Sequence, residues 1–325
     1  MIDMDDPEHA RRRKLVSSGF TPRRVRESED KVRRVCDAII DDVCERGECD
    51  LVSEIAAPLP MHMIGDMLGF AQDDHENLLR WSDDLLGALD GKPGAQERAT
   101  DVFVQFIEYL TDVITHRRTT ETRDDLIGTL VRAIVDDGRL DDEELIFESL
   151  LILIGGDETT RHVLTGGAYQ LLADPALRDA LVDEPTGIPL AVEEMLCWVS
   201  PIKNMARTVT RDTELRGREL AEGDKLILLY PSANRDVEVF DDPFRFDIFR
   251  SPNDHVAFGF GPHFCMGASF AHIELRVMFE QLLERLPDLR LVDPGEPAYR
   301  VSNFISGYES MPVEFTPTKP LVASV

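Results

Sequence analysis

Apolar residues recur at a helical period through most of the first two hundred positions, and this pattern sets the expected architecture. Residues 7–17, P-E-H-A-R-R-R-K-L-V-S, read as a helix with Pro7 in its first turn. Helical patterns follow over 21–46, 51–69, 73–88, 96–118 and 123–135, with a Gly-Lys-Pro-Gly turn at 91–94. The longest pattern, 141–172, opens on D-D-E-E, acidic residues that suit the positive end of a helix dipole. A short helix is expected after Asp174-Pro175, and another over 188–200, just before Pro201. The period then shortens. Strands are predicted over 204–210, in a Gly-turned hairpin over 213–220, and over 225–230, followed by an irregular Asp/Pro-rich loop at 236–256. A last helix starts near Ala268, and strands near 289–292 and 311–315 flank the turn N-F-I-S-G-Y-E-S. No repeat, low-complexity tract or linker divides the chain, so 1–325 reads as one mainly helical domain with small β-sheets.

Two stretches break their own pattern. Inside the 141–172 helix stands Gly155-Gly156-Asp157-Glu158-Thr159-Thr160, where each glycine costs about 1 kcal/mol relative to alanine. A widened turn here would make room for a small ligand, and an acid beside an alcohol can relay protons. The alternative is a threonine bonded back to its own helix. The second stretch is F-G-F-G-P-H-F-C-M-G at 258–267. Cys265 follows a Gly-Pro turn and precedes a helix, where backbone N–H groups and the dipole favour a thiolate. Gly259, Gly261 and Gly267 let backbone approach something large and flat. By itself, a lone cysteine there would read as a buried structural residue capping a helix.

The spacing Phe258-x-x-Gly261-x-x-x-Cys265-x-Gly267 resembles the haem-binding loop of the cytochrome P450 monooxygenases. That resemblance extends over the chain from Pro7 onward. It is greatest, in L-I-G-G-D-E-T-T-R-H, S-P-I-K-N-M-A-R, A-F-G-F-G-P-H-F-C-M-G and N-F-I-S-G-Y-E-S-M-P-V, to actinobacterial members that hydroxylate the terminal methyl of the cholesterol side chain. It implies haem b (iron protoporphyrin IX) with Cys265 as the iron ligand, and Phe258 and Gly259 against the macrocycle. His9, Arg13, Arg207 and His263 are implied as donors to the two propionates; taken singly, His9 with Arg13, and Arg207, would read as surface residues. Glu158 and Thr159 take the acid and alcohol positions of a proton relay on the far face. Ile154, Gly155, Ile202, Met205, Phe304 and Ile305 are implied as cavity liners, with a sterol-like small molecule as substrate. The implied electron donors are a ferredoxin and a ferredoxin reductase.

The chain departs from the family twice. The usual Glu-x-x-Arg pattern reads Glu194-Met195-Leu196-Cys197, with Arg245 as the later arginine implied to pair with Glu194. Removing one partner of a buried ion pair costs about 3–5 kcal/mol, so restoring arginine at 197 is expected to increase haem retention. Family members also carry helices, strands and a substrate-capping loop ahead of the position of Pro7. The expected fold is therefore a cytochrome P450 fold lacking its N-terminal helices and strands, with the haem more open to water. Met1 then reads as an internal start or a boundary. These departures motivate a second reading, a haem-binding or structural remnant without turnover.

Composition narrows the classes further. A net charge of −27 argues against nucleic acid, and 43% hydrophobic residues allow a sizeable core. The acidic start is no signal peptide, and the longest apolar run, 150–154, is too short to span a bilayer, so a cytoplasmic protein is expected. The five cysteines, Cys36, Cys44, Cys49, Cys197 and Cys265, form no disulfide or zinc spacing. A metal site using His255, His263, Cys265 and His272 is a weaker third reading. Residues 1–34 carry +3, leaving −30 for the rest. That basic patch reads either as a dock for an acidic electron-transfer partner or as a solvated helix face.

Overall fold

In chain order the elements are α1 (Glu8–Val16), α2 (Pro22–Cys44), β1 (Glu48–Asp50), α3 (Pro58–Leu68), α4 (His75–Gly87), α5 (Ala95–Thr119), α6 (Leu126–Arg132), α7 (Asp142–Ala173), α8 (Pro175–Asp183) and α9 (Ile188–Val199). There follow β2 (Asn204–Thr208), β3 (Thr213–Leu215), β4 (Arg218–Leu220), β5 (Lys225–Leu229), α10 (Tyr230–Ala233), α11 (Ala268–Arg285), β6 (Arg290–Leu291) and β7 (Pro312–Glu314). This computed structural model describes residues 1–88, 93–119, 123, 125–133, 140–295, 297–300 and 302–321. Residues 91 and 92 of the predicted turn lie outside the described residues, as do 124, 134 and 135 of the predicted 123–135 helix.

Helix α7 organises the rest. Asp141 accepts from the Glu144 N–H (2.8 Å) while the Glu144 side chain accepts from the Asp141 N–H (3.0 Å), a reciprocal cap that starts the helix. Its buried residues run round the whole circumference, because it is shared by two hydrophobic cores. Its first half joins α1, α3, α4, α5 and α6; its second half joins α2, α8, α9, α11 and the β1–β7–β6 sheet. Helices α3 and α9 come so close that a Cβ on Gly156 would lie 2.6 Å from Ile64, and one on Gly167 2.6 Å from Met195. Two glycines in the predicted helix interior thus serve packing, at a contact distance that no other residue allows.

Several expectations change. Residues 51–69 do not form one helix: Leu51–Ala56 winds as a wide π-helical turn, capped by Asp50, which accepts from the Val52 and Ser53 N–H groups (both 2.9 Å). Helix α3 starts afresh at Pro58, which has no N–H to continue the ladder. Strand β1 was not visible in the periodicity; it pairs antiparallel with β7, Cys49 opposite Val313. The 213–220 hairpin and the β2–β5 ribbon form as the pattern indicates, Arg207 opposite Leu226. The basic N-terminal region is largely spent inside the molecule. Arg12 pairs with Glu144 and Glu148, Lys31 with Asp66 (2.7 Å), and Arg33 with Glu280 (2.9 Å). Lys14, Arg23, Arg26 and Arg34 stay exposed, a narrower patch than the sequence suggested.

Candidate active site

The loop 258–267 is fixed by its own backbone. Cys265 N–H donates to the Phe258 carbonyl (2.9 Å), and Gly259 and Gly261 hold φ of +72° and +75°, the left-handed region in which a side chain is strained. A one-turn 3₁₀ helix at Gly261–His263 follows, and Phe270 and Ala271 N–H groups close on the Gly267 carbonyl at the start of α11. Cys265 therefore stands three residues before a helix N-terminus, facing an open cavity. Burial pushes its thiol pKa up, against the opposing pull of the Gly267 and Ala268 N–H groups and Arg13. The expected helix-terminus effect is present, but in this state desolvation outweighs it.

The middle of α7 lines the same cavity through Gly155, Gly156, Thr159 and Thr160. Ile202, Met205, Phe258 and Gly259 lie on the same cavity, together with His9, Arg13, Arg207 and His263. The widened turn expected at Gly155-Gly156 does not form: α7 is unbroken, and the Thr159 hydroxyl donates to the Gly155 carbonyl (2.7 Å). Its oxygen lone pairs remain available on the cavity side.

His9 is buried with its Nε2 unpartnered, its ring 4.0 Å from that of His263. Arg13 donates to the Phe264 carbonyl and Arg207 to the Ala206 carbonyl (2.8 Å). Burial first, then the charges of His9, Arg207 and Arg13, lower the His263 pKa. So much N–H and positive charge converging on one edge of an apolar hollow calls for anionic oxygens. With a sulfur and glycine backbone lining the same hollow, the residues fit a flat macrocycle bearing two carboxylates.

Not every predicted residue reaches the cavity. Ile154, Phe304 and Ile305 do not line it: Ile154 lies one helical step round α7 from Gly155, and Ile305 forms a bridge with Ile202 and is buried. Leu151, missed by the motif reading, lies four residues before Gly155 and eight before Thr159, a periodic signal that was available. Ile64 and Glu274 also line the wall, and they come from α3 and α11.

Glu158 is fully buried, outside the cavity lining, inside a charge cluster. Arg300 Nη1 donates to both of its oxygens (3.0 Å each), His162 Nε2 is 3.1 Å away, and Arg161 donates to it and to Asp83 on α4 (2.8 Å). Burial, the largest influence, opposes ionisation, but His162, Arg161 and Arg300 together hold its pKa well below the usual carboxylate range. A second, polar pocket lined by Asp83, Arg98, Arg161, His162 and Arg300 lies beside this cluster.

Glu194 corrects another expectation. It accepts from Arg250 Nε (2.8 Å), Asn253 Nδ2 (3.0 Å) and the Asp247 N–H (2.9 Å); Arg250, not Arg245, is its ion partner. Arg245 is exposed and offers only its carbonyl to Arg250 (2.8 Å), because the turn at 242–245 carries its side chain outward. The third reading also falls away. Among the described residues no group of three or more His, Cys, Asp and Glu is placed to hold a metal ion.

Two carboxyls are buried on neighbouring helices, Asp157 of α7 beside Ser82 of α4, and Glu274 of α11. Burial pushes Asp157 up to about 7 and Glu274 up to about 8, and the charge on Asp157 adds to the second. The folded chain keeps these protons at a pH where the unfolded chain has lost them. Their contribution to stability is therefore complete below the ordinary carboxylate range and lost as pH rises towards about 8. Thermal melts should fall from about pH 5 to about pH 8, and Glu274→Gln should flatten that fall by up to about 1.4 kcal/mol per pH unit. An unchanged slope in Glu274→Gln refutes the assignment.

A family profile described as cytochrome P450 matches residues 188–289. Over 325 residues, 99% of this chain, the sequence is 54% identical to the steroid C26-monooxygenase of Mycolicibacterium smegmatis, 81% of which is covered. The chain belongs to the cytochrome P450 family. The steroid C26-monooxygenase of Mycobacterium tuberculosis is 52% identical over 99% of this chain and 81% of its own length. The cytochrome P450 fold is matched by CYP109E1 from Bacillus megaterium, solved in complex with corticosterone, with a TM-score of 0.89 and 32% identity over 97% of this chain and 85% of that one. As a cytochrome P450 monooxygenase the protein belongs to an enzyme family that implies haem and redox partners. Among the described residues no helix is long and apolar enough to cross a membrane.

Proposed function

We propose that this chain hydroxylates the terminal methyl of a cholesterol-like side chain, as in cholest-4-en-3-one, taking electrons from a ferredoxin and its reductase. The observation that carries the reading is that Cys265 and Thr159, from two separate segments of the chain, line one apolar cavity. Haem b, bound there, would supply the activation of dioxygen, one atom of which enters the substrate C–H bond while the other leaves as water with two protons and two electrons. Cys265 would ligate the iron, and His9, Arg13, Arg207 and His263 would hold the propionates. Phe258 and Gly259 would lie along the macrocycle.

Thr159 offers a hydroxyl on the cavity wall, and Glu158, on the neighbouring position of the same helix, holds a buried carboxylate paired with Arg161, which in turn reaches the partly exposed Asp83. Protons would move from Glu158 to Thr159 and on into the cavity. Gly155, Ile202, Met205 and the apolar wall of Ile64 and Leu151 exclude water from an alkyl chain. The names of the M. smegmatis and M. tuberculosis relatives support a steroid in that space. The exposed cations Lys14, Arg26 and Arg34 offer an acidic ferredoxin part of a docking face. The three partners that Glu194 keeps oppose the remnant reading, since the buried carboxylate is satisfied without an arginine at 197.

Optical titration of the haem-loaded chain with cholest-4-en-3-one tests the substrate. A sterol displacing iron-bound water shifts the spin state, with a saturable change in the haem spectrum. No change at saturating steroid overturns the sterol assignment and leaves the family membership untouched.

A further inference from the structure

The C-terminal end of α9 leaves carbonyls without partners in the helix, and two adjacent side chains after α10 satisfy those of Cys197 and Trp198. Arg235 Nη1 donates to the carbonyls of Cys197 (3.3 Å) and Asn234 (3.2 Å), and its Nη2 to that of Trp198 (3.0 Å). Its guanidinium lies over the Trp198 indole, 4.2 Å from the ring centroid, and that indole packs edge-on against Phe246. Asn234, almost wholly buried, donates to the Cys197 carbonyl (3.4 Å) and the Ser200 hydroxyl (2.8 Å), while its Oδ1 accepts from the Val256 N–H (2.8 Å). From there the backbone runs through Gly259 N–H to the Val256 carbonyl and Cys265 N–H to the Phe258 carbonyl, both 2.9 Å. Unbroken hydrogen bonds therefore lead from the end of α9 to the cysteine. The Cys197 thiol contributes one weak contact, 3.8 Å to the Asn234 carbonyl.

We infer that Arg235 is a positioning residue which, clamped on Trp198 and acting through Asn234, sets the register of the Cys265 loop, making an arginine at position 197 unnecessary in this chain. A cation at the C-terminal end of a helix is favoured by the dipole, and the planar fork satisfies three carbonyls at once where a thiol satisfies one. A second guanidinium at 197 would meet Arg235 as a like charge in a confined space. Introducing one into the parent chain then brings no gain in haem retention, contrary to the expectation from the motif alone. In an Arg235→Ala background the same change should restore what was lost. The inference rests on Cys265 as the iron ligand only for its spectroscopic arm.

The test uses full-length chains carrying Arg235→Ala, Arg235→Lys, Cys197→Arg, and Cys197→Arg with Arg235→Ala. Hydrogen exchange at the Val256 and Cys265 amides, the rate of haem loss, and the carbon monoxide difference spectrum of the reduced protein are read together. Arg235→Ala should speed exchange at both amides and haem loss by about tenfold or more, and should convert part of the thiolate band into the non-thiolate form. Arg235→Lys, which keeps charge without the fork, should fall between. The double variant should return to within about threefold of the parent. Should Arg235→Ala fail to fold, the ranking of Arg235→Lys against the parent decides. Unchanged exchange and haem loss in Arg235→Lys and Arg235→Ala overturn the inference, as does a double variant no better than Arg235→Ala. If the parent shows no thiolate band, the reading of Cys265 fails, while the exchange arm still judges Arg235.

Discussion

On the proposed function, in which Cys265 ligates the iron, Cys265→Ser should abolish steroid hydroxylation, lowering turnover by at least about 10³-fold, because a hydroxyl cannot supply the electron density of a thiolate. The reduced protein under carbon monoxide should lose its thiolate band altogether. Fold and loop geometry should survive, since the substitution leaves intact the Cys265 N–H bond to the Phe258 carbonyl and the left-handed glycines at 259 and 261. Melting of the haem-free variant should therefore stay close to that of the haem-free parent. Retention of the thiolate band in Cys265→Ser would show that another residue holds the iron.

The second large effect is expected at Glu158. Glu158→Gln should lower kcat by about 10²-fold with KM nearly unchanged, because the proposed function makes this side chain a proton relay and it does not line the cavity. It should also destabilise the protein by about 3–5 kcal/mol, since Arg161 and Arg300 would face a neutral amide instead of a buried carboxylate. Steady-state kinetics and denaturant unfolding separate the two effects. The sign with pH is opposite to that of Asp157 and Glu274: the Glu158 pKa is held low, so its contribution is complete above the ordinary carboxylate range and is lost only in acid. A rise in KM with unchanged kcat would instead place Glu158 in substrate binding.

How far the residues alone reach is clearest at these two positions. Cys265 was legible because its loop is local: glycine-only backbone, a Gly-Pro turn and a helix start all fall within ten consecutive residues. Helix α7 and its glycine pair were equally plain, but what the pair does was not. Gly156 answers to Ile64 on another helix, and the widened turn was inferred from a cost that packing against α3 offsets. The pairing of Glu194 with Arg250 depends on how an irregular loop turns, which no periodicity records. Strand β1 is three residues long and acquires its structure from a partner at the far end of the chain. The charge on Asp157 is felt by Glu274, which lies on another helix more than a hundred positions along the chain. Local chemistry can be read along a chain; contacts between distant segments require the fold.

One consequence follows from the sharing of α7 between both cores. A rod gripped along both flanks, with neighbours seated against bare backbone at Gly156 and Gly167, cannot slide or roll without dislodging side chains on either flank. The part of the cavity wall that α7 supplies is thus held in place by α3 and α9, helices that carry no part of the Cys265 loop.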